Sequence, residues 1–291
     1  MFVSHVGLVS QTNSVKLGQL ALASAAIQKQ ISRDFGPVWN IEASVDAFEK
    51  LSDVPLGYWS IVVRDDIPFP AQGIHLNKAN GQPFALVQFS QNWALTISHE
   101  CLEMLADPSG NRTQAGNSIK PGQERVEYLV EVCDPSEAAK FGYSVNGILL
   151  SDFYTPNYFD PVAAPGVRYS FTGAIESPRE VLDGGYLSWF DPISAHVFQV
   201  FVNGADKEFV DRGSLPNGFG SLRAFADRGS TKHRMAAMTA SGPTGLFLAS
   251  ALGAGGGLTS AVAAPNEFDQ AVTAGADILQ RQIDNLINNT P

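Results

Sequence analysis

The stretch Trp93-Ala-Leu-Thr-Ile-Ser-His-Glu-Cys-Leu-Glu-Met-Leu-Ala106, closed by Asp107-Pro108, decides how this chain is read. Ser90 or Asn92 can cap a helix starting near Trp93, and Asp107-Pro108 ends it. At about 100° per residue, His99, Glu100, Glu103 and Asp107 share an arc of roughly 100°. Ile97, Cys101, Leu102, Met104 and Leu105 occupy the other side. One face is thus made for a core, and the other presents an imidazole and three carboxylates. Residues i and i+4 lie one turn apart, so His99 and Glu103 can grip one ion. Glu100 projects beside it, where a carboxylate can take a proton from an attacking water and pass it to a leaving amine. That is the logic of the His-Glu-x-x-His helix, with Glu103 standing where the second histidine would be. The competing reading is an amphipathic helix whose polar face is simply solvated.

The surroundings of that helix read as alternating strands and helices. Residues 2–9 look like a buried strand, and a helix capped by Asn13 or Ser14 runs to about Phe35, with Leu20, Ala23, Ile27 and Ile31 on one stripe. Pro37 is expected to end it. Strands are expected over 59–63 and 84–89, the latter edge-like, with an Asn80-Gly81 turn between them. The run Val126–Cys133 fits either a helix or a strand. It carries Glu127 and Glu131, and Asp134 follows, so a third ligand is expected 28 to 35 residues after His99. Residues 141–235, rich in aromatics, Gly and Pro, read as irregular α+β structure. From Met235 to Asn266 no residue is charged, and a helix with Phe268, Val272, Leu279, Ile283 and Leu286 on one side follows. That uncharged stretch reads as a linker, with a packed small-residue segment and a membrane-inserting segment as the alternatives.

Composition narrows the function classes. The 291 residues suffice for one large domain or two modest ones. With 19 basic and 29 acidic residues the formal charge is −10, which offers no footprint for nucleic acid or an anionic membrane. Two cysteines, Cys101 and Cys133, do not make a disulfide framework. Cys101 lies about 200° from His99 on the helix and is expected in the core. The start Met1-Phe-Val-Ser-His lacks the basic n-region of a signal peptide, so the cytoplasm is the default compartment, with signal-independent export as the alternative.

The order strand, helix, strands, His-Glu helix and downstream acidic ligand resembles the zincin metallopeptidases of the gluzincin type. Ser98-His-Glu-x-x-Glu-x-x-x-Asp-Pro108 followed by Val130-Glu-Val-Cys133 is similar to a bacterial and phage group of uncharacterised zincin-like proteins. It is more distantly similar to the plant phosphate-induced, EXORDIUM-type proteins. The resemblance covers about residues 1–200. It implies a Zn²⁺ site with His99, Glu103 and Glu131 as ligands, Glu127, Asp134 and Asp107 being fallbacks, and Glu100 as general base. Two carboxylates on the ion neutralise its formal charge, which should weaken its pull on a carbonyl.

Tyr128, Tyr143 and Tyr154 are each placed to steady an oxyanion or to sit in the core, and Tyr154 is the expected catalytic one. His75 is expected in the core or at the surface, with the cleft as the alternative. The fold expectation is an α+β zincin-like domain over 1–235, split near 110–140 into a mixed twisted sheet and an irregular second lobe. A linker over 236–265 and a C-terminal helix over 266–291 complete it. The functional expectation is a zinc-dependent hydrolase acting on a peptide or protein. The rival is a weak or inactive zincin-fold binding module whose tail mediates association with a protein partner.

Overall fold

A computed structural model describes residues 3–67, 71–78, 80–216, 220–227 and 281. Its content is α+β. The first sheet takes its strands from β1 (Ser4–Ser10), β2 (Ala43–Phe48), β3 (Trp59–Arg64), β4 (Gly73–Asn77) and β5 (Pro83–Gln88), in the order β2-β1-β3-β5-β4. All neighbours are parallel except β4, which runs antiparallel to β5 with His75 opposite Ala85. The sheet is therefore mixed.

Period-two alternation gives the sheet two buried faces. Val6, Leu8, Ile61, Val63, Ala85 and Val87 point to the face covered by helix α1 (Leu17–Gln30) and helix α3 (Trp93–Ala106). Val9, Val62, Ile74, Phe84 and Leu86 point the other way, under Leu51 and Ile67. Burial on both sides is why Phe84–Val87 reads as an unbroken apolar run. The same fact corrects the reading of that strand as an edge: β5 is internal, and β4 forms the edge. Along β4, Gly73, His75 and Asn77 share one side, and the odd positions face α3.

The predicted α1 stripe is in place, with Leu20, Ala23, Ile27 and Ile31 buried. Neither Asn13 nor Ser14 caps it; Lys16 holds the N-cap position, and the Gln19 side chain accepts its backbone N–H at 3.0 Å. Pro37 does not end the helical path. The path continues through a wide turn, Ile31–Phe35, into a short helix α2 (Gly36–Trp39), where Pro37 occupies the first turn and loses no hydrogen bond. Asn40, in the left-handed region at φ 55°, stops it.

After α3 the chain builds a second sheet. Strands β6 (Thr113–Asn117) and β7 (Arg125–Leu129) come first, so the ambiguous acidic run opens as a strand and continues as a loop. A small hairpin, β8 (Tyr143–Val145) and β9 (Ile148–Leu150), precedes a long stretch of loops and 3₁₀ turns. Then β10 (Tyr186–Asp191), β11 (His196–Asn203) and β12 (Asp206–Ser214) complete an antiparallel sheet of order β12-β11-β10-β7-β6. The expectation of an irregular second lobe thus holds only for the stretch between β9 and β10. One apolar cluster spans both sheets, from Val6 and Ile97 to Tyr128, Trp189 and Val200.

A short helix over 222–227 returns to the first half of the chain, with Leu222 and Ala226 packed on Leu129 and Val197. The readings made for 236–265 and for 266–291 fall outside the described residues, Arg281 excepted. Among the described residues no helix is long and apolar enough to cross a membrane.

Candidate metal centre

Helix α3 carries no side-chain cap and no acidic residue in its first turn, so little local signal holds it. Tertiary bonds fix it instead. Ser98 Oγ donates to Gln30 Oε1 (2.8 Å) and accepts the Ser151 N–H (3.1 Å), while Gln30 Nε2 donates to Ser151 O (2.9 Å). This closed, buried triangle ties α3 to α1 and to the chain after β9.

The polar face of α3 is not solvated. His99 is 6% exposed, Glu100 4% and Glu103 2%. Buried charged groups persist only when they are paired or coordinate a metal, which rules out the bland amphipathic reading.

The partners of that face come from four places. From the edge strand, His75 Nδ1 donates to Glu100 Oε2 at 2.7 Å and stands 3.8 Å from Glu103 Oε2. From the helix itself, His99 Nε2 lies 3.2 Å from Glu103 Oε2. The loop after β7 brings Asp134 Oδ1 to 3.4 Å from His99 Nε2 and Glu131 Oε2 to 3.4 Å from His75 Nε2. That loop is anchored on the helix, since the Cys133 N–H donates to Glu103 Oε1 at 3.1 Å. From the helix over 222–227, Arg223 reaches 3.7 Å from Glu131 Oε1 while donating to Asp107 O and to Asn77 Oδ1.

Two glycines make this approach geometry possible. A side chain on Gly73 would overlap Glu100 Oε1 and come within 2.6 Å of Thr96 Cγ2. One on Gly185 would sit 2.5 Å from Pro135 O and 2.7 Å from Asp134 O. The Gly184-Gly-Tyr186 run therefore lets β10 press against the ligand loop, and Tyr186 lines the same cavity as His75, Glu103 and Arg223.

The electrostatics follow from crowding. Burial opposes ionisation of Glu103, but the His99 and His75 imidazoles and the Cys133 N–H outweigh it and hold its carboxyl at about 2. Burial likewise opposes the charged form of His99, yet Glu103 and Asp134 push its pKa well above the usual histidine range. Burial, reinforced by the Glu103 charge and only partly offset by Arg223, pushes Glu131 well above the usual carboxylate range. Desolvation and the Asp134 charge raise Asp227 to about 7.

Among the described residues donor atoms gather in three sets: His99 with Glu103 and Cys133; His99 with Asp134 and Glu137; and His75 with Glu103 and Glu131. His99 and Glu103 thus share a set, as the helix spacing implies, whereas Glu100 is in none of the sets and joins the cluster through His75. Glu131 is there too, but the imidazole that completes its set is His75. Against His99 the nearest added carboxylate is Asp134, one of the fallbacks. Among the described residues neither Glu131 oxygen nor Tyr154 Oη has a hydrogen-bond partner, although all three are buried, which marks groups that a cation or a ligand would satisfy. The donor set of imidazole and carboxylate suits zinc.

No protein-family model, curated protein or solved structure matches this chain.

The remaining sequence candidates sort themselves by their bonds. Tyr128 Oη donates to Asn117 O and accepts the Ile119 N–H, and Tyr143 Oη donates to Asp34, so both are structural. Tyr154 stacks on Tyr158 at 4.3 Å, and the charges of Glu131, Glu103 and Asp134 all bear on its hydroxyl. Glu127 accepts from Thr113 Oγ1 on the outer face of the second sheet, away from the cluster. Asp107 accepts the Asn111 N–H and the Ser109 hydroxyl, which makes it the hinge of the loop after α3. Cys101 is buried with its thiol pushed up to about 12, and Cys133 is buried with its Sγ 3.8 Å from His99 O; both are free. Sequence reasoning underrated His75, whose only local signal was its position before a strand. Arg223 and Asp227 carried no signal at all, because nothing near them in the chain suggests a site.

Proposed function

We propose that this chain is a zinc-dependent hydrolase of the zincin type that cleaves amide bonds in a peptide or protein. The observation that carries the reading is the buried His99-Glu100-x-x-Glu103 face lying under an antiparallel edge strand, with Asp134 closing on His99. The sheet order, with one helix between the first two strands and the His-Glu helix straight after β5, also supports a zincin-like fold.

His99 and Glu103 would hold the ion, with Asp134 as the third donor. A zinc ion there supplies Lewis acidity: it polarises a carbonyl and lowers the pKa of water. Glu100 takes the proton of the attacking water and returns it to the leaving amine. His75 holds the Glu100 carboxylate in place through its Nδ1 proton. An extended peptide can add alongside β4 as a further strand. Tyr154 Oη, which makes no hydrogen bond among the described residues, is the donor for the developing oxyanion.

Glu100→Gln tests this. It should keep the metal and lower turnover of a quenched-fluorescent peptide library by about 10²–10⁴-fold. Hydrolysis by the variant at the wild-type rate would remove Glu100 from the mechanism.

The carboxylate-rich donor set and the helix over 222–227 beside the cavity favour a second reading, a scaffold whose metal is structural. A coordination sphere closed by four protein ligands, seen by X-ray absorption on zinc-loaded protein, would select that reading.

A further inference from the structure

Glu103 belongs to two donor sets at once. On one side stand His99 and Asp134; on the other stand His75 and Glu131. A single ion between His99, Glu103 and Asp134 leaves the second set unexplained, and all three residues of that set line the cavity.

The second set has the form of a ligand set in its own right. His75 Nδ1 donates to Glu100, which fixes the ring and leaves Nε2 as the coordinating nitrogen. A histidine whose other nitrogen is bonded to a carboxylate is the usual arrangement in metal centres. His75 Nε2 then stands 3.4 Å from Glu131 Oε2, close enough for one cation to take a donor from each. Glu131 is 5% exposed, lines the cavity, and makes no hydrogen bond through either oxygen among the described residues. Arg223, 3.7 Å from Glu131 Oε1, has its guanidinium committed to Asp107 O and Asn77 Oδ1.

The composition of the wall points the same way. Four carboxylates, Glu100, Glu103, Glu131 and Asp227, line the cavity beside one guanidinium, Arg223, and buried acidic groups at this density call for cationic compensation.

We infer that the site binds two divalent cations bridged by Glu103, the second held by His75 and Glu131. The inference rests on the metal-site part of the proposed function and is independent of catalysis. Carboxylate-bridged pairs of ions act on both the attacking and the leaving atoms of a reaction, so a dinuclear hydrolase is the class implied.

The test is the zinc stoichiometry of the full chain, stripped with chelator, reloaded with zinc alone, desalted and measured by elemental and native mass spectrometry. Two zinc ions per chain are expected. His75→Gln and Glu131→Gln should each bring the count to one, with unchanged circular dichroism, and His99→Ala should remove the other ion. One zinc per chain in the wild type overturns the second site and leaves the proposed function standing. No zinc at all overturns both. Two ions in the wild type that survive His75→Gln and Glu131→Gln in folded protein would also overturn this assignment.

Discussion

Each histidine of the centre has a distinct task set by its two ring nitrogens. His75 spends Nδ1 on Glu100, whereas His99 turns Nε2 to both Glu103 and Asp134. Without metal, the raised pKa of His99 keeps it protonated at neutral pH, and Glu131 is raised as well. Metal must displace those protons, so zinc affinity should strengthen as pH rises through neutrality and weaken as it falls. Calorimetric zinc titrations in buffers of different ionisation enthalpy would show proton release at pH 7; heats independent of the buffer would contradict it. Gly73 makes a second claim at this scale. Gly73→Ala pushes a methyl into Glu100 and Thr96, and should cost about 1–3 kcal/mol of stability by overpacking. Because the displaced group is the proposed base, turnover should fall further than folding does, which denaturant titration beside a kcat measurement would reveal.

At the scale of elements, α3 owes its position to the Gln30–Ser98–Ser151 triangle rather than to capping. Ser98→Ala leaves the Gln30 oxygen and the Ser151 N–H buried without their shared partner. It should destabilise the protein by about 1–3 kcal/mol, read as a lower denaturation midpoint. The boundaries of α3 were legible in the sequence, since apolar periodicity and Asp107-Pro108 are local signals. The role of β5 was not, because a fully buried run can be central or edge until its neighbours are known. Pro37 misled for a related reason: it breaks a helix interior but is at home in a first turn, and the wide turn at Ile31–Phe35 makes it one.

Over the whole molecule, the second sheet and the helix over 222–227 act as the wall of the site. Arg223 reaches Asp107 across 116 positions of sequence and Asn77 across 146. Arg223→Met removes one buried and one part-buried hydrogen bond and the cation facing Glu131, and should cost the metal-free protein about 2–5 kcal/mol. Zinc loading should recover part of that loss, because the ions take over the compensation of the carboxylates; thermal unfolding with and without zinc measures both. A loss that zinc leaves unchanged would make Arg223 a packing residue only.

What the sequence determined by itself was the helix, its two-faced character and the chemistry that His99, Glu100 and Glu103 can perform together, because those residues lie within one turn of each other. It also supplied Glu131 and Asp134 as acidic candidates, without ranking them. Only the tertiary structure decided that the polar face is buried, that Asp134 meets His99 while Glu131 meets His75, and that Arg223 faces them. Those relations depend on strand order and on loops packed against one another through Gly73 and Gly185, and distances of that kind have no local signature in a chain.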